Sequence, residues 1–390
     1  MGTTTFIEGS IAVAKTIGVC RPQVISAYPI TPQTHIVEHL SELVAEGELK
    51  TEYVNVESEH SAASVVLGAS ATGARAYTAT TSQGFLLMIE VLFNIAGMRL
   101  PIIMTCVNRA VSAPINIWND QQDSLTARDS GWIQLYAEDN QEASDMHLQA
   151  FKIAENKDIM LPVMVCMDGF VLTHSFEPIE LISQEDADKF LPPYKPQYYL
   201  NPKNPLSFGT MVGPDGYMET RYFLEKTMRD SQQVISDVAA EFHNQFGRFH
   251  GGLIDTYKVE DATHVFVAMG SVIGTLKDIV DEQRAKGQKI GVLKIRSYRP
   301  FPKDEIYKAL NHVREIIVLE KAISLGYGGI LANEIKSVFY GKPKTPKING
   351  YIIGLGGRDI TIDTIHHVIK DAVNTSFEEK FIGLNEALIK

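Results

Sequence analysis

The sequence predicts an α/β protein made of two alternating units joined by an irregular strap. Three observations carry the prediction. Short apolar runs alternate with helical patterns through the first 170 residues, a proline-dense stretch follows at 191–205, and a second alternation begins at 263. Strands following helices in this way point to a parallel sheet with helices on its faces.

In the first unit the predicted strands are "QVISAY" (23–28), "TEYVNV" (51–56), "RAYTATT" (75–81), "LPIIMTCV" (100–107) and "MLPVMVCM" (160–167). A helix is predicted over 33–46, where Ile36, Val37, Leu40, Leu43 and Val44 form one stripe. Residues 59–73 and 84–97 are rich in small and apolar residues and read as buried helices. Residues 108–130, "NRAVSAPINIWNDQQDSLTARDS", break the rhythm as a long polar loop, and a loop of that length is usually functional or disordered. Ile115, Ile117 and Trp118 within it argue against disorder.

"LPPYKPQYYLNPKNP" (191–205) reads as a linker or extended strap, with a mostly helical stretch over about 217–245 after it. "FGTMVGPDGY" and the apolar faces of that helix suggest subunit contact. The second unit runs "THVFVAMG", a helix from Ser271, "KIGVLKI", a helix near 304–311, "EIIVLE", a helix from about 328, and "KINGYIIG". The domains expected are therefore 1–190, a connecting segment at 191–260, and 261–390.

Composition narrows the function. The 390 residues are 45% hydrophobic and 21% charged, as in a soluble globular protein. Arg99 interrupts the most apolar stretch, "VLFNIAGMRLPIIMTCV", so no membrane span is expected. "MGTTTFIEGS" has no basic head with an apolar core behind it, and Phe6 breaks the myristoylation pattern, so a cytoplasmic protein is expected. A formal charge of −11 argues against nucleic acid as a partner. Cys20, Cys106 and Cys166 are scattered without C-x-x-C spacing. They indicate neither a disulfide framework nor the four ligands of an iron–sulfur cluster, and they read as buried thiols.

Ligands of doubly wound sheets sit at the C-terminal ends of the strands. Four segments end there: "AYPITP", "VNVESEHSA", "TATTSQG" and "TCVNRA". Thr31-Pro32 reads as a helix start, with Thr31 as N-cap and Pro32 at the first helical position, and a helix N-terminus presents free N–H groups to an anion. Glu57 and Glu59 fall on the same side of the next corner, with His60 read as a helix-surface group or one supporting the site rather than a catalytic base; Glu59 is either a simple cap or a carboxyl turned into the site. Arg109, after a buried strand, suits a bidentate clamp on a small carboxylate or an ion pair with Asp120, Asp123 or Asp129. "GLGGRD" (354–359) and "MGSVIG" (269–274) lack the G-x-G-x-x-G spacing and read as tight turns, which makes a nicotinamide-binding dehydrogenase a poor alternative.

Taken in order, "AYPITP", "ESEHSA", "TSQGFLLMIE", "NRAVSAPINIWNDQQDSLTARDSGWIQL" and "LEKAISLGYGGIL…GLGGRDI" resemble the alpha subunits of the 2-oxoacid:ferredoxin oxidoreductase family, most closely the pyruvate type. The resemblance runs from about residue 6 to about 370. It implies an N-terminal pyrimidine-type thiamine diphosphate domain with a parallel sheet and a C-terminal α/β domain like the last domain of transketolase. It implies that Glu59 hydrogen-bonds the cofactor's pyrimidine, with Pro29 and Ile30 beside the cofactor, and that Arg109 and Thr31 bind the oxoacid. It also implies that beta, gamma and delta subunits carry Mg2+ and the [4Fe-4S] clusters, with coenzyme A as co-substrate and ferredoxin as acceptor. "TSQG" with "NIWNDQQDS" looks like the pyruvate-type enzymes, whereas 2-oxoglutarate-type relatives tend to read "TSGPG". Phenylglyoxylate, a branched 2-oxoacid or oxalate remain as alternative substrates, and a non-catalytic scaffold subunit as the alternative of another class.

Overall fold

The computed structural model describes residues 3–374 and 379–389. The chain runs β1 (Thr3–Glu8), α1 (Gly9–Val19), β2 (Val24–Ala27), α2 (Thr34–Ala45), β3 (Glu52–Asn55), α3 (Glu59–Ala71), β4 (Ala76–Thr80), α4 (Ser82–Leu87), α5 (Ile89–Gly97) and β5 (Ile103–Asn108). Then come α6 (Gln122–Thr126), β6 (Ile133–Tyr136), α7 (Asn140–Ala154), β7 (Val163–Asp168), β8 (Phe176–Leu181), α8 (Gln184–Phe190) and the long α9 (Pro214–Phe246). The rest is β9 (Ile254–Tyr257), β10 (His264–Ala268), α10 (Val272–Ala285), β11 (Ile290–Ile295), β12 (Ser297–Arg299), α11 (Lys303–Leu310), β13 (Glu315–Glu320), α12 (Ile330–Phe339), β14 (Lys347–Ile352), α13 (Ile362–Asn374) and β15 (Glu379–Phe381).

Six strands of the first unit form a parallel sheet in the order β6-β7-β5-β4-β2-β3. Its central strands β4, β5 and β7 are buried at every position, which is why they read as largely apolar runs, broken only by threonines within and by Asn108 and Asp168 at the strand ends. The second sheet is ordered β15-β14-β13-β10-β11-β9, parallel except for β9. One strand of the second unit leaves its own sheet. β12 pairs antiparallel with β6 and becomes the seventh strand of the first.

All the predicted strands and helices form, with two revisions. Helix α2 starts at Thr34 and not at Thr31. Gln33 stands at its N-cap, its N–H donating to Ile30 O at 2.8 Å while its side chain donates to Ala79 O at 2.7 Å. Pro32 therefore belongs to a turn, and the buried Gln33 amide fastens that turn to β4. The helix expected over 84–97 divides at Met88 into α4 and α5.

The elements missed by pattern are β1, α1, β6, α7 and β8, among others. Helix α7 explains why. It is buried almost all round yet carries Ser144, Asp145, His147 and Gln149 among its residues, so no apolar stripe marks it. Its polar groups are bonded inside the protein: Ser144 Oγ to Thr16 Oγ1 at 2.6 Å, and His147 Nε2 to Thr105 Oγ1 at 2.6 Å. The three cysteines are buried and free, as expected. No described helix is long and apolar enough to cross a membrane.

Candidate active site

The C-terminal ends of β2, β3, β4 and β5 lie side by side on one edge of the first sheet. The corner after β2 carries Tyr28 to Gln33. Thr31 is exposed, Pro29 is exposed and Ile30 is half-buried, with its N–H bonded to Gln33 Oε1 at 3.2 Å. The corner is thus held from below by Gln33 and open above.

After β3, Ser58 caps α3, its hydroxyl accepting from Ser61 N at 3.2 Å. Glu59 is the first helical residue and is 7% exposed. Its carboxyl has no hydrogen-bond partner among the described residues. It lies against Gly84 in α4, where any added Cβ would collide with it. Glu57 departs from the expectation: it is exposed and bonded to Ser61, so the two carboxylates face different ways. The Ser61 hydroxyl holds the Glu57 carboxyl below its usual range. His60 is exposed.

Arg109 is 5% exposed and makes no ion pair with Asp120, Asp123 or Asp129. Its Nη1 donates to Thr31 O at 2.8 Å and its Nε to Asn116 O at 3.0 Å. Nη2 is left without a partner among the described residues. Its guanidinium thus hydrogen-bonds only carbonyl oxygens, and a bound anion would offset the cost of burying that charge. Burial lowers its pKa, against the pull of the Asp123 carboxylate.

Asp123 is the residue whose role the pattern did not reveal. It is fully buried, and its carboxylate accepts from Ser82 N at 2.9 Å, Arg109 N at 3.0 Å, Asn108 Nδ2 at 2.8 Å and Ser124 N at 2.8 Å. One side chain therefore ties the start of α4 to the end of β5 and to the main chain of Arg109. Burial pushes its pKa up to about 7, although those donors favour the ionised form. Around it, Thr80 Oγ1, Thr81 Oγ1, Gln83 Nε2 and Asn108 Oδ1 are buried without partners among the described residues.

The long loop is held by the second unit. Asn116 Nδ2 donates to Gly356 O at 3.1 Å, Gly356 N to Asp120 Oδ2 at 3.1 Å, and Gly357 N to Asn119 O at 2.6 Å. At φ 60° this turn favours glycine for conformation, and a Cβ on Gly356 would stand 2.6 Å from Asn116 Nδ2 and displace that side chain. "GLGGRD" is thus a tight turn, as read, and also the dock for the loop. Beneath it, Asp168 at the end of β7 binds Lys321 and Ser271 from the second unit. Burial would raise the pKa of Asp168, but Lys321 and Ser271 outweigh it and the net shift is downward. Ile115 and Trp118 stay exposed, Trp118 with its ring 4.6 Å from that of Phe170. A cleft of about 810 Å³ lined by Glu225, Arg229, Arg299 and Glu334 contains none of these residues.

Residues 16–240 match the family described as "Pyruvate flavodoxin/ferredoxin oxidoreductase, thiamine diP-bdg", and residues 262–365 match "Pyruvate:ferredoxin oxidoreductase core domain II". The chain belongs to the pyruvate:ferredoxin oxidoreductase family. Curated relatives of this family are similar along their whole length. "Pyruvate synthase subunit PorA" of Methanosarcina barkeri is 54% identical, covering 98% of this chain and 97% of the relative. "Ketoisovalerate oxidoreductase subunit VorA" of Pyrococcus horikoshii is 45% identical, covering 94% and 92%. Among solved structures, a 2-oxoglutarate:ferredoxin oxidoreductase from Magnetococcus marinus shares the fold, with a TM-score of 0.72 at 20% identity over 95% of this chain and 65% of that one. The first unit of this family member is accordingly its thiamine diphosphate-binding domain. Its residues fit such a cofactor, since among the described residues Glu59 offers a buried carboxyl without a partner and the β4–α4 corner offers buried polar atoms without partners.

Proposed function

We propose that this chain is the alpha subunit of a complex that converts pyruvate and coenzyme A to acetyl-CoA and CO2, with two electrons passed to ferredoxin. The Arg109 guanidinium, held against Thr31 with its Nη2 lacking a partner among the described residues, carries this reading. A small anion would complete its coordination. Bound thiamine diphosphate supplies the carbanion-stabilising centre that allows the oxoacid to lose CO2. In this reading Glu59 hydrogen-bonds the cofactor's pyrimidine nitrogen from the α3 N-terminus. Pro29 and Ile30 form the wall beside it, and their rigidity comes from Gln33. Arg109 Nη2 and the Thr31 hydroxyl orient the substrate carboxylate.

The site is an open edge in this chain, which supports completion by partners. We assign the diphosphate, Mg2+ and the nearest [4Fe-4S] cluster to a beta subunit and further clusters to gamma and delta subunits, all in the cytoplasm. The domain division follows as 1–190, a connecting segment 191–260 and 261–390. Met211, Tyr217, Met218, Tyr222 and Phe223, exposed around the start of α9, support subunit contact there.

The test is coenzyme A-dependent viologen reduction by the complex, purified through a tag on this chain, with pyruvate, 2-oxoisovalerate, phenylglyoxylate, 2-oxoglutarate and oxalate. Preference for pyruvate supports the reading. Preference for 2-oxoisovalerate favours the second one, which rests on the 45% identity to a ketoisovalerate subunit.

A further inference from the structure

Glu8, His35 and His174 converge from three separate parts of the chain. Glu8 closes β1, His35 lies in the first turn of α2, and His174 stands between β7 and β8. One ligand atom of each lies within 4.8 Å of the other two. Glu8 is largely buried and its Oε1 meets His35 Nδ1 at 2.7 Å. The His35 and His174 rings lie 4.5 Å apart with no hydrogen bond between them among the described residues. A pairwise contact accounts for Glu8 and His35, and His174 brings a second imidazole to the same point.

His174 is fixed in place by a hydrogen bond and by ring contacts with His35 and Phe170. Its Nδ1 shares a 2.7 Å hydrogen bond with Thr173 Oγ1, which also accepts from Phe170 N at 2.9 Å. In the tautomer that donates Nδ1–H to that oxygen, Nε2 presents its lone pair, as metal-bound imidazoles do.

We propose that Glu8, His35 and His174 form a binding site for a divalent transition-metal ion of the zinc type. Two imidazoles and one carboxylate suit such an ion, with further positions open to water, whereas magnesium and calcium favour oxygen ligands throughout. The site adjoins the candidate active edge through its rings. His174 lies 4.8 Å from Phe170, and Phe170 lies 4.6 Å from Trp118 of the long loop. Bound metal therefore braces both α2, just beyond Thr31, and the support of the loop.

The experiment uses the full chain after chelator treatment, titrated with CoCl2 and followed by visible d–d absorption, with ZnCl2 displacement and thermal melting in parallel. The wild type should take up one equivalent of cobalt, lose the band to zinc and melt at higher temperature with zinc present. His174→Phe keeps the stacked ring and removes the ligand, and Glu8→Gln removes the carboxylate. Each should weaken cobalt binding by about tenfold or more. If either variant fails to fold, His35→Gln reads the same loss. No cobalt band in the wild type, or equal binding by wild type and the folded variants, would overturn the site. Displacement of cobalt by an equal concentration of MgCl2 would overturn its zinc-type assignment.

Discussion

Arg109 Nη1 donates to the main-chain carbonyl of Thr31 at 2.8 Å, joining residues 78 positions apart at the ends of β5 and β2. The contact uses a backbone acceptor and leaves the Thr31 hydroxyl free for a ligand. It also makes the guanidinium a strut for the corner as well as a charge.

Arg109→Ala should therefore raise the oxoacid KM strongly and lower kcat as well, because both anion and corner lose a partner. Arg109→Lys should recover only part, since an ammonium cannot span Thr31 O, Asn116 O and an anion together. Steady-state kinetics of the complex check this; unchanged KM in the alanine variant would refute the assigned role.

Glu59→Gln should lower turnover by several orders of magnitude while the complex still assembles, because an amide cannot exchange a proton with the cofactor as a carboxyl can. Gly84→Ala should have a related effect while leaving the Glu59 residue itself unchanged, because the added methyl would crowd the carboxyl and push it from its place. Viologen reduction with pyruvate measures both. Normal turnover in Glu59→Gln would revive the scaffold reading.

Asp123→Asn should destabilise the fold by about 2–4 kcal/mol, since its amide nitrogen would face main-chain N–H donors that now meet a carboxylate. Denaturant unfolding of the chain gives the value. An Asn variant as stable as the parent would show that the four bonds are dispensable.

Glu142 in α7 supplies a pH dependence. Burial would raise its pKa, but Arg296, with Nε at 2.7 Å from Oε1, and Lys294, with Nζ at 2.9 Å, outweigh it and hold it well below 4.5. A folded value below the unfolded one means that the stabilisation is present above about 4.5 and lost as pH falls through the folded value. Stability should decline in acid, and Glu142→Gln should flatten that acid limb while costing about 3–5 kcal/mol at neutral pH. Urea midpoints across pH would reveal either result.

Much of this was legible in the sequence because burial writes itself into composition. β4, β5 and β7 are covered on both faces and appear as apolar runs, and α2 shows its stripe because one face is wet. α7 was illegible for the opposite reason: its contacts are buried hydrogen bonds made by Ser144, His147 and Asp145, which look like surface residues in one dimension. The site divides similarly. Glu59, Thr31 and Arg109 stand at strand ends where short motifs can point to them. Asp123 acts on Ser82 N and Arg109 N, main-chain groups that no residue pattern records. The Thr31-Pro32 start of α2 misled because a cap motif and a turn held by a buried glutamine use the same residue types.

The exchange of β12 has a practical reach. A fragment ending near residue 260 would keep every catalytic candidate but bare the outer edge of β6, a row of unpaired main-chain groups open to pairing with other chains. Such a truncation invites aggregation, and the halves of this polypeptide are best regarded as one cooperative folding unit, whatever division the eye makes between its sheets.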